Sequence, residues 1–261
     1  KPMELMGVLS RLDERGATEK LRKVRQRCGE VWRYAIVTGR AEYNPAPDLV
    51  SAFVPHKKEH YAFLKHEELP EFFRTLNTYS GSIVVKLAMR LQVLTGLRPG
   101  ELRQGEWAEI NFEKRLWEVP PSRMKKRRPH CVPLSDQAIA ILEQLKPITG
   151  HYQFIFPGRI HHSKPMSEMA MNVLIRRIGY AGRVTGHGFR HTMSTILHEQ
   201  GYNTAWIETQ LAHVDKNSIR GTYNHAQYLD GRREMLQWYA DYMDALEHRE
   251  NVVHGRFGKS S

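Results

Sequence analysis

The stretch from Gly186 to Tyr223 reads GHGFRHTMSTILHEQGYNTAWIETQLAHVDKNSIRGTY and concentrates reactive side chains. It places an imidazole and a guanidinium three residues apart, at His187 and Arg190, then a second imidazole at His213 and a phenol at Tyr223. A guanidinium matches phosphate oxygens bidentately and keeps its charge, and an imidazole exchanges protons near neutral pH. A phenol can act as a covalent nucleophile when a base and a cationic pocket help it to ionise. Together these groups suit attack on a phosphodiester.

Each member of this set also has an ordinary structural explanation. His187 and Arg190 would lie one turn apart on any helix and could belong to a solvated face. A single buried tyrosine is usually part of a core. The ordered set carries the signal, and it needs an upstream arginine and a lysine to be convincing.

The composition bounds the class of protein. The chain has 261 residues and a mass of 30.4 kDa, which suits one large domain or two modest ones. Apolar residues make up 41% of it and aromatic residues 10%, enough to build a core. A net charge of +11 and a pI near 9.7 indicate a polyanionic partner, with nucleic acid first and an anionic membrane second.

Membrane attachment and a disulfide framework are both disfavoured. No apolar run approaches the roughly 20 residues needed to span a bilayer, and the sequence does not open on a signal-peptide pattern. The two cysteines, Cys28 and Cys131, are far apart and form no metal-binding spacing. A reducing cytoplasm fits this usage best.

Residues 1–53 are predicted to be helical. Between Leu21 and Ala35 the apolar positions recur every three or four residues and form one stripe. The other faces are basic and include Arg22 and Arg25, which indicates either a solvated face or a helix lying against DNA phosphates. The helix should end near Gly39, ahead of a proline-rich break.

A polar segment, VPHKKEH at residues 54–60, follows and is interpreted as an interdomain linker. Its Lys57 and Lys58 are candidate DNA contacts, because two domains tethered by a basic linker could close around a duplex. A second domain is expected to begin near Tyr61.

The second domain opens with two predicted helices and a tight corner. The first helix, Lys65 to Asn77, should bury Leu69, Phe72, Phe73 and Leu76, and the second should run from Ser82 to Thr95. The next residues, GLRPGEL, suit a helix end at Gly96 and a new helix start at Pro99. Arg98 would therefore lie at a rigid corner, where it could merely cap a carbonyl. Glu101, one turn later, could pair with Arg98 or another arginine and orient it.

A basic hairpin follows. Three short strands are predicted at residues 108–112, 116–119 and 130–134, and the last two are joined by PPSRMKKRRP at residues 120–129. The hairpin is either a solubilising edge or a finger that enters a nucleic-acid groove, and its charge density favours the finger. Candidate DNA contacts are therefore Arg123, Lys126, Arg127 and Arg128. A lysine at the tip could also donate a proton, because other cations nearby lower the pKa of an ammonium.

Three more helices are predicted, over residues 135–145, 167–178 and 230–249. The last could pack on its own domain or dock on a neighbouring subunit. The glycine-rich residues 179–188 match neither of the phosphate-binding loop patterns of nucleotide-binding proteins.

Four segments in order carry a resemblance to a known family. They are TGLRPGEL at residues 95–102, HGFRHT at 187–192, LAH at 211–213 and YNHA at 223–226. With the basic hairpin, they make the chain similar to the tyrosine recombinases, and more narrowly to prophage or genomic-island integrases, from about Met6 onward. The ordered combination is far more specific than any one motif.

The resemblance implies a fold that is mainly α with a small antiparallel β-sheet. It implies a helical core-type DNA-binding domain at 1–53, a linker at 54–60, a catalytic domain at 61–250 and a flexible tail at 251–261. Integrases of this group usually carry a further N-terminal arm-binding domain, which nothing here matches. We therefore expect a fragment or a truncated element with a partial core-binding domain.

The resemblance also implies a role for each reactive group. Arg98 and Arg190 would clamp the scissile phosphate and stabilise the pentacovalent transition state. His187 would help to accept the phenolic proton, and His213 would hydrogen-bond a phosphate oxygen. Tyr223 would attack, leaving a 3′-phosphotyrosine and a free 5′-hydroxyl.

A lysine would protonate the leaving 5′-oxygen as general acid. Family integrases place it in the hairpin, where Lys125 fits best and Lys126 stays an alternative. Because the covalent link keeps the energy of the phosphodiester, no ATP, metal or other cofactor is expected. Strand exchange between attachment sites would need four protomers on two duplexes, with the C-terminal helix acting in trans. DNA-bending and directionality proteins are possible accessory partners, and the expected location is the bacterial nucleoid.

Three other functions compete with a site-specific recombinase. A type IB topoisomerase-like enzyme would share the chemistry but relax supercoils without paired sites. A decayed integrase would bind DNA without cutting it, although a pure binder has no use for Tyr223. A metalloenzyme built on the histidines is disfavoured, because no HExxH motif exists and His187 with His191 lacks an obvious carboxylate or thiolate partner.

Overall fold

The computed structural model describes residues 2–53, 61–124, 127–213 and 228–248. The chain divides into two compact units, residues 1–60 and 61–261. The described residues form a mainly helical fold with one small antiparallel sheet, which confirms the predicted fold class. Their α-helices are α1 (Pro2–Asp13), α2 (Thr18–Val37), α3 (Leu69–Asn77), α4 (Ile83–Thr95), α5 (Pro99–Arg103), α6 (Asp136–Thr149), α7 (Ala170–Arg177), α8 (Gly188–Glu199), α9 (Thr204–Gln210) and α10 (Leu229–His248).

The first unit is a pair of helices with a small core. Leu5 and Leu9 of α1 are buried against Leu21 of α2, and the predicted apolar stripe of α2 faces this core. The helix ends at Val37, close to the predicted end, and Gly39 follows with a positive φ of 70°. The predicted helix in this region is therefore confirmed.

The second unit is organised around α4. This helix is apolar on nearly every side, and it packs against α5, α6, α7, α8 and α10. Beside it, α3 buries the four predicted side chains Leu69, Phe72, Phe73 and Leu76. A helix surrounded on most sides needs apolar residues at most positions, which explains why the polar side of α4 is confined to a narrow strip that contains Lys86 and Arg90.

The three predicted strands pair in the order β1-β2-β3. They are β1 (Ile110–Asn111), β2 (Leu116–Val119) and β3 (His130–Pro133), all antiparallel. Trp117 of β2 lies opposite Val132 of β3 and is fully buried. The basic hairpin thus joins two strands of this sheet, as predicted.

Several boundaries differ from the prediction. Helix α3 begins at Leu69 and not at Lys65, because His66–Glu68 form a 3-10 turn, and β1 is shorter than predicted, because Trp107–Glu109 form another. Helix α6 continues past Leu145 to Thr149 and includes Pro147 in its last turns. The buried hydroxyl of Thr149 lies 2.9 Å from the carbonyl oxygen of Ile155, which holds this end of the helix against the following loop. Helix α7 begins at Ala170, three residues after Ser167.

The last helix, α10, packs on its own unit. It contacts α3, α4, α6, α8, α9 and β3, and it buries Met235 and Tyr239 completely. Near its end Glu247 accepts hydrogen bonds from Arg90 of α4 at 2.6 and 3.0 Å. The apolar face of α10 is therefore covered by its own unit, the first of the two alternatives for this helix, and a role of this helix in trans stays a prediction. Among the described helices none is long and apolar enough to cross a membrane.

Gly188, the first residue of α8, makes room for the chain that crosses this helix. A methyl group at Gly188 would overlap the Ala62 carbonyl oxygen and approach the Ala62 carbonyl carbon to 3.1 Å. We predict that Gly188→Ala lowers the free energy of unfolding by about 1–3 kcal/mol, because the obstacle is backbone. Gly100→Ala is the control, since nothing lies within 4 Å of its added methyl group. Urea unfolding of both variants checks this, and an equal loss in the two would contradict it.

Candidate active site

The corner between α4 and α5 positions Arg98. Gly96 takes a left-handed conformation with φ of 61°, and Pro99 begins α5, as predicted. The Arg98 guanidinium donates to the Glu101 carboxylate at 2.6 Å and to the Ala212 carbonyl oxygen at 3.1 Å. The other Glu101 oxygen accepts the Arg98 backbone N–H at 3.0 Å. Glu101 therefore orients Arg98, one of the alternatives left open by the sequence.

Arg190 lies in the first turn of α8 and is only 4% exposed. Its two terminal nitrogens donate to the carbonyl oxygens of Gly96 and Leu211, and Nη2 lies 3.4 Å from Nε2 of His213. Its Nε is buried and has no hydrogen-bond partner among the described residues. Burial, and then the charge of Arg98, lowers the pKa of Arg190 to about 10, so it stays charged at neutral pH. A buried cation bound to neutral oxygens is ready to receive an anion.

His187 immediately precedes α8, and the ring of Tyr61 lies against its imidazole with centroids 4.6 Å apart. Burial is the largest cause that lowers the pKa of His187, to about 4, and the charge of Arg190 is the next. The imidazole is therefore neutral at neutral pH. A neutral imidazole can accept a proton.

His213 follows α9 through Ala212, which has a positive φ of 48°. Its Nδ1 lies 2.8 Å from a carboxylate oxygen of Glu208. A carboxylate on Nδ1 favours the tautomer with its proton there, and it leaves Nε2 on the side of Arg190. Glu208 is a residue that the sequence analysis missed, although a carboxylate five residues before a candidate histidine on a helix was a usable signal.

A buried polar network, which we call the Gln210 junction, joins four elements next to these groups. The side-chain amide of Gln210 in α9 donates to the Thr95 carbonyl oxygen of α4 at 2.7 Å. The backbone carbonyl oxygen of Gln210 accepts from Nε2 of His130 in β3 at 3.1 Å. Arg232 of α10 donates to the Gln210 side chain at 2.6 and 3.2 Å and to the Cys131 carbonyl oxygen at 2.8 Å.

The Gln210 junction is missed by sequence reasoning, because its members look like ordinary polar residues. Burial, followed by the charges of Arg232 and Arg190, lowers the pKa of His130 to about 3. The charge of Arg98 acts on the same imidazole. Three guanidinium groups are therefore close enough to act on one buried, neutral histidine. The junction also ties together α9 and α10, which flank residues 214–227 in the chain.

The structure separates the predicted DNA-contacting arginines of the hairpin into one that pairs within the protein and two that are exposed. Arg123 donates to the Glu109 carboxylate through Nε at 2.7 Å and through Nη2, and to the Glu101 carbonyl oxygen at 2.9 Å. Trp117 donates to the same carboxylate at 2.9 Å. Arg127 and Arg128, in contrast, are exposed. We propose that Arg123 anchors the hairpin, and a DNA contact through Arg127 or Arg128 stays a prediction.

The remaining predicted site residues fall into two groups. On α2, Arg22 pairs with Glu19 at 2.9 Å on an exposed face, and Arg25 donates to the Ala46 carbonyl oxygen at 3.0 Å. Their DNA contacts stay predictions. The other group lies outside the described residues and comprises Lys57, Lys58, Lys125, Lys126 and Tyr223.

Two family comparisons cover most of the sequence. Residues 62–229 match the Phage integrase family, and residues 1–52 match the Phage integrase central domain. The chain belongs to the phage integrase family. The resemblance to prophage integrases that the motifs indicated is thereby confirmed.

Among curated relatives, this phage integrase family member is 49% identical to the integrase of Shigella phage Sf6 and to the prophage integrase IntS of Escherichia coli strain K12. Each match covers 94% of this chain and 64% of the relative, so the chain spans less than two thirds of their length.

Solved structures of other integrases show the same fold. A lambda integrase dimer bound to a COC′ core site matches with a TM-score of 0.66 and 20% identity, over 84% of this chain and 80% of that one. The Tn1549 transposon integrase in complex with circular intermediate DNA matches with a TM-score of 0.68 and 18% identity, over 90% and 84% of the two chains. At these identities the likeness concerns the fold alone.

Proposed function

We propose that this chain carries the catalytic part of a site-specific DNA recombinase. It would cleave and rejoin duplex DNA through a 3′-phosphotyrosine intermediate and so integrate or excise a mobile element. One observation carries the proposal: Arg98, Arg190 and His213, from three distant stretches of the chain, meet at the carbonyl groups that end α4 and α9. Arg98 reaches Ala212, and Arg190 reaches Gly96, Leu211 and His213.

The charge of this site supports an anionic substrate. Within the described part of the chain, Glu101 hydrogen-bonds to Arg98 through its carboxylate, whereas Arg190 donates to the neutral carbonyl oxygens of Gly96 and Leu211. Buried cations without matching anions are costly, and a bound phosphate would offset that cost. Donors already held in place stabilise the charge of a pentacovalent transition state, because they need not reorganise during the reaction.

In the proposed reaction, the Tyr223 hydroxyl oxygen bonds to phosphorus while the bond from phosphorus to the 5′-oxygen breaks. Neutral His187 accepts the phenolic proton, and the hairpin lysine, Lys125 or Lys126, protonates the leaving 5′-oxygen. His213, with a proton on each ring nitrogen, donates from Nε2 to a phosphate oxygen. Rejoining is the reverse reaction with another 5′-hydroxyl, so the number of phosphodiester bonds is conserved and no external energy source enters.

The proposed substrate is a pair of double-stranded DNA attachment sites, bound in bacterial cells by four copies of the chain. Basic composition and exposed hairpin arginines support DNA as the partner. A lambda integrase of the same fold is known as a tetramer bound to a Holliday junction, which supports the proposed number of protomers. DNA-bending and directionality proteins remain the expected accessory partners.

The test does not require knowledge of the site. The full chain is incubated, in chelator, with a library of random duplexes that each carry one nick, so that a cleaved short strand diffuses away and the protein stays attached. Detergent-resistant adducts are then sequenced, and their linked peptide is mapped by mass spectrometry. We expect a 3′-phosphodiester linkage at Tyr223. A linkage at another residue, or an adduct lost in chelator, would overturn the proposed chemistry, and DNA binding without any adduct would favour a decayed integrase.

A second step separates a recombinase from a topoisomerase-like enzyme. Two copies of the recovered sequence are placed on one supercoiled plasmid, and one copy is placed on a matched plasmid. A recombinase yields excised or inverted products only with two copies. Relaxation of both plasmids without such products would support the topoisomerase-like alternative.

A further inference from the structure

We propose that Tyr61 is a positioning residue for His187: its ring covers one face of the imidazole, holds the orientation of that imidazole and keeps water from it. The inference rests on the proposed function, in which His187 accepts the proton of the attacking tyrosine. Tyr61 lies outside the four motif segments, and its contact with His187 joins residues 126 positions apart in the sequence.

The segment that follows Tyr61 is fixed at three points, two on α8 and one at Thr185 just before it. The Ala62 carbonyl oxygen accepts the Thr185 backbone N–H at 3.3 Å, and the Leu64 carbonyl oxygen accepts the Thr192 hydroxyl at 2.6 Å. Between these two points the chain passes so close to Gly188 that no side chain fits there. The backbone that carries Tyr61 is therefore set by α8 itself.

The Tyr61 ring has little to do with the core of the unit. Tyr61 is 56% exposed. The centroid of its ring lies 4.6 Å from the centroid of the His187 imidazole, and the two ring planes are tilted by 51°. An exposed ring adds little to stability by burial, since much of its apolar surface still meets water. Its ring contact in the structure is with the imidazole of His187.

The surroundings of His187 explain why such a cover matters. Arg190 and His191 of α8, Arg98 at the corner and His213 after α9 all act on the imidazole and disfavour its protonated form. Burial is the largest cause of its lowered pKa, and the Tyr61 ring lies directly against the imidazole. Removing the ring would admit water, which stabilises the protonated form and raises the pKa. A larger protonated fraction would then leave less base at mildly acidic pH.

The first readout is independent of activity. The His187 side-chain resonances of the full chain, assigned by their loss in His187→Gln, are titrated by NMR in the wild type, Tyr61→Ala and Tyr61→Phe. We expect Tyr61→Ala to raise the pKa of His187 by about 1 and Tyr61→Phe to leave it unchanged, because phenylalanine keeps the ring. Tyr34→Ala is the matched control, since Tyr34 is also exposed but lies in the other unit. An unchanged pKa in Tyr61→Ala, or an equal rise in Tyr61→Phe, overturns the inference.

The second readout is the pH dependence of adduct formation on a trapped nicked duplex. A protonated His187 cannot accept a proton, so the acid side of the profile should move to higher pH in Tyr61→Ala, by the same amount as the pKa, and return in Tyr61→Phe. A uniform loss of rate at every pH, with no movement of the profile, would overturn the positioning role. Failure of the wild type to form any adduct would count against the proposed function, whereas the NMR titration still decides the role of Tyr61.

Discussion

Replacing Arg190 by lysine should lower the rate of covalent adduct formation by about 10²–10³, with a much smaller loss of DNA affinity. The planar guanidinium donates to two backbone carbonyl oxygens, of Gly96 and Leu211, and its Nη2 also lies 3.4 Å from Nε2 of His213. A lysine keeps the positive charge but offers one nitrogen, so it cannot hold both carbonyl groups and contact a phosphate. Because most affinity for DNA comes from many phosphate contacts, losing the geometry of one should affect chemistry more than binding.

The measurement is single-turnover adduct formation on a trapped nicked duplex, with Tyr223→Phe as the zero reference. Arg103→Lys is the matched control, because Arg103 is also largely buried and also donates to a carbonyl oxygen, that of Met166, but lies outside the site. A rate for Arg190→Lys within threefold of Arg103→Lys would show that charge alone is needed at this position. Urea unfolding of both variants separates a loss of rate from a loss of fold.

Replacing Arg123 by methionine should lower the free energy of unfolding by about 3–5 kcal/mol. Its partner Glu109 has a side chain only 8% exposed, so the substitution leaves a carboxylate buried without its cation. The remaining hydrogen bond from Trp117 does not neutralise that charge. Removing one member of a buried pair is costly for this reason, whereas an exposed pair contributes little.

Arg127→Met is the matched control, four residues further along the same hairpin. The Arg127 side chain is exposed, so the free energy of unfolding of this variant should differ from the wild type by less than about 0.5 kcal/mol. If Arg127 contacts a phosphate, its loss lowers the slope of log affinity against log salt by about 1. For Arg123→Met, measured where the variant is still folded, we expect no such change in slope. A lowered slope with unchanged stability would return Arg123 to the DNA-contacting group.

The Gln210 junction shows how the flanks of the predicted nucleophile segment are held. Gln210 and Arg232, both 1% exposed, connect α9 and α10 by two hydrogen bonds to one side-chain oxygen. The same arginine reaches the backbone of β3, which follows the hairpin in the chain. One buried network therefore holds the elements next to both the predicted lysine and the predicted tyrosine.

Local signals determined much of the fold from the sequence alone. The three-and-four spacing of apolar residues predicted the buried face of α3, and Gly96 and Pro99 predicted the corner that holds Arg98. These features follow from the conformational preferences of one short segment, so no distant residue is needed to infer them. The pairing of Arg98 with Glu101, one turn apart, belongs to the same class.

Only the tertiary structure decided what the individual side chains do. Arg123 and Arg127 stand four positions apart in one basic run, and nothing local distinguishes the arginine that meets Glu109 from the exposed one. Tyr61 contacts His187 because residues 61–64 cross α8 at Gly188. The physical reason is the same in both cases: a side chain's partner and its access to water depend on which distant segments pack around it, and no periodicity in the sequence records that packing.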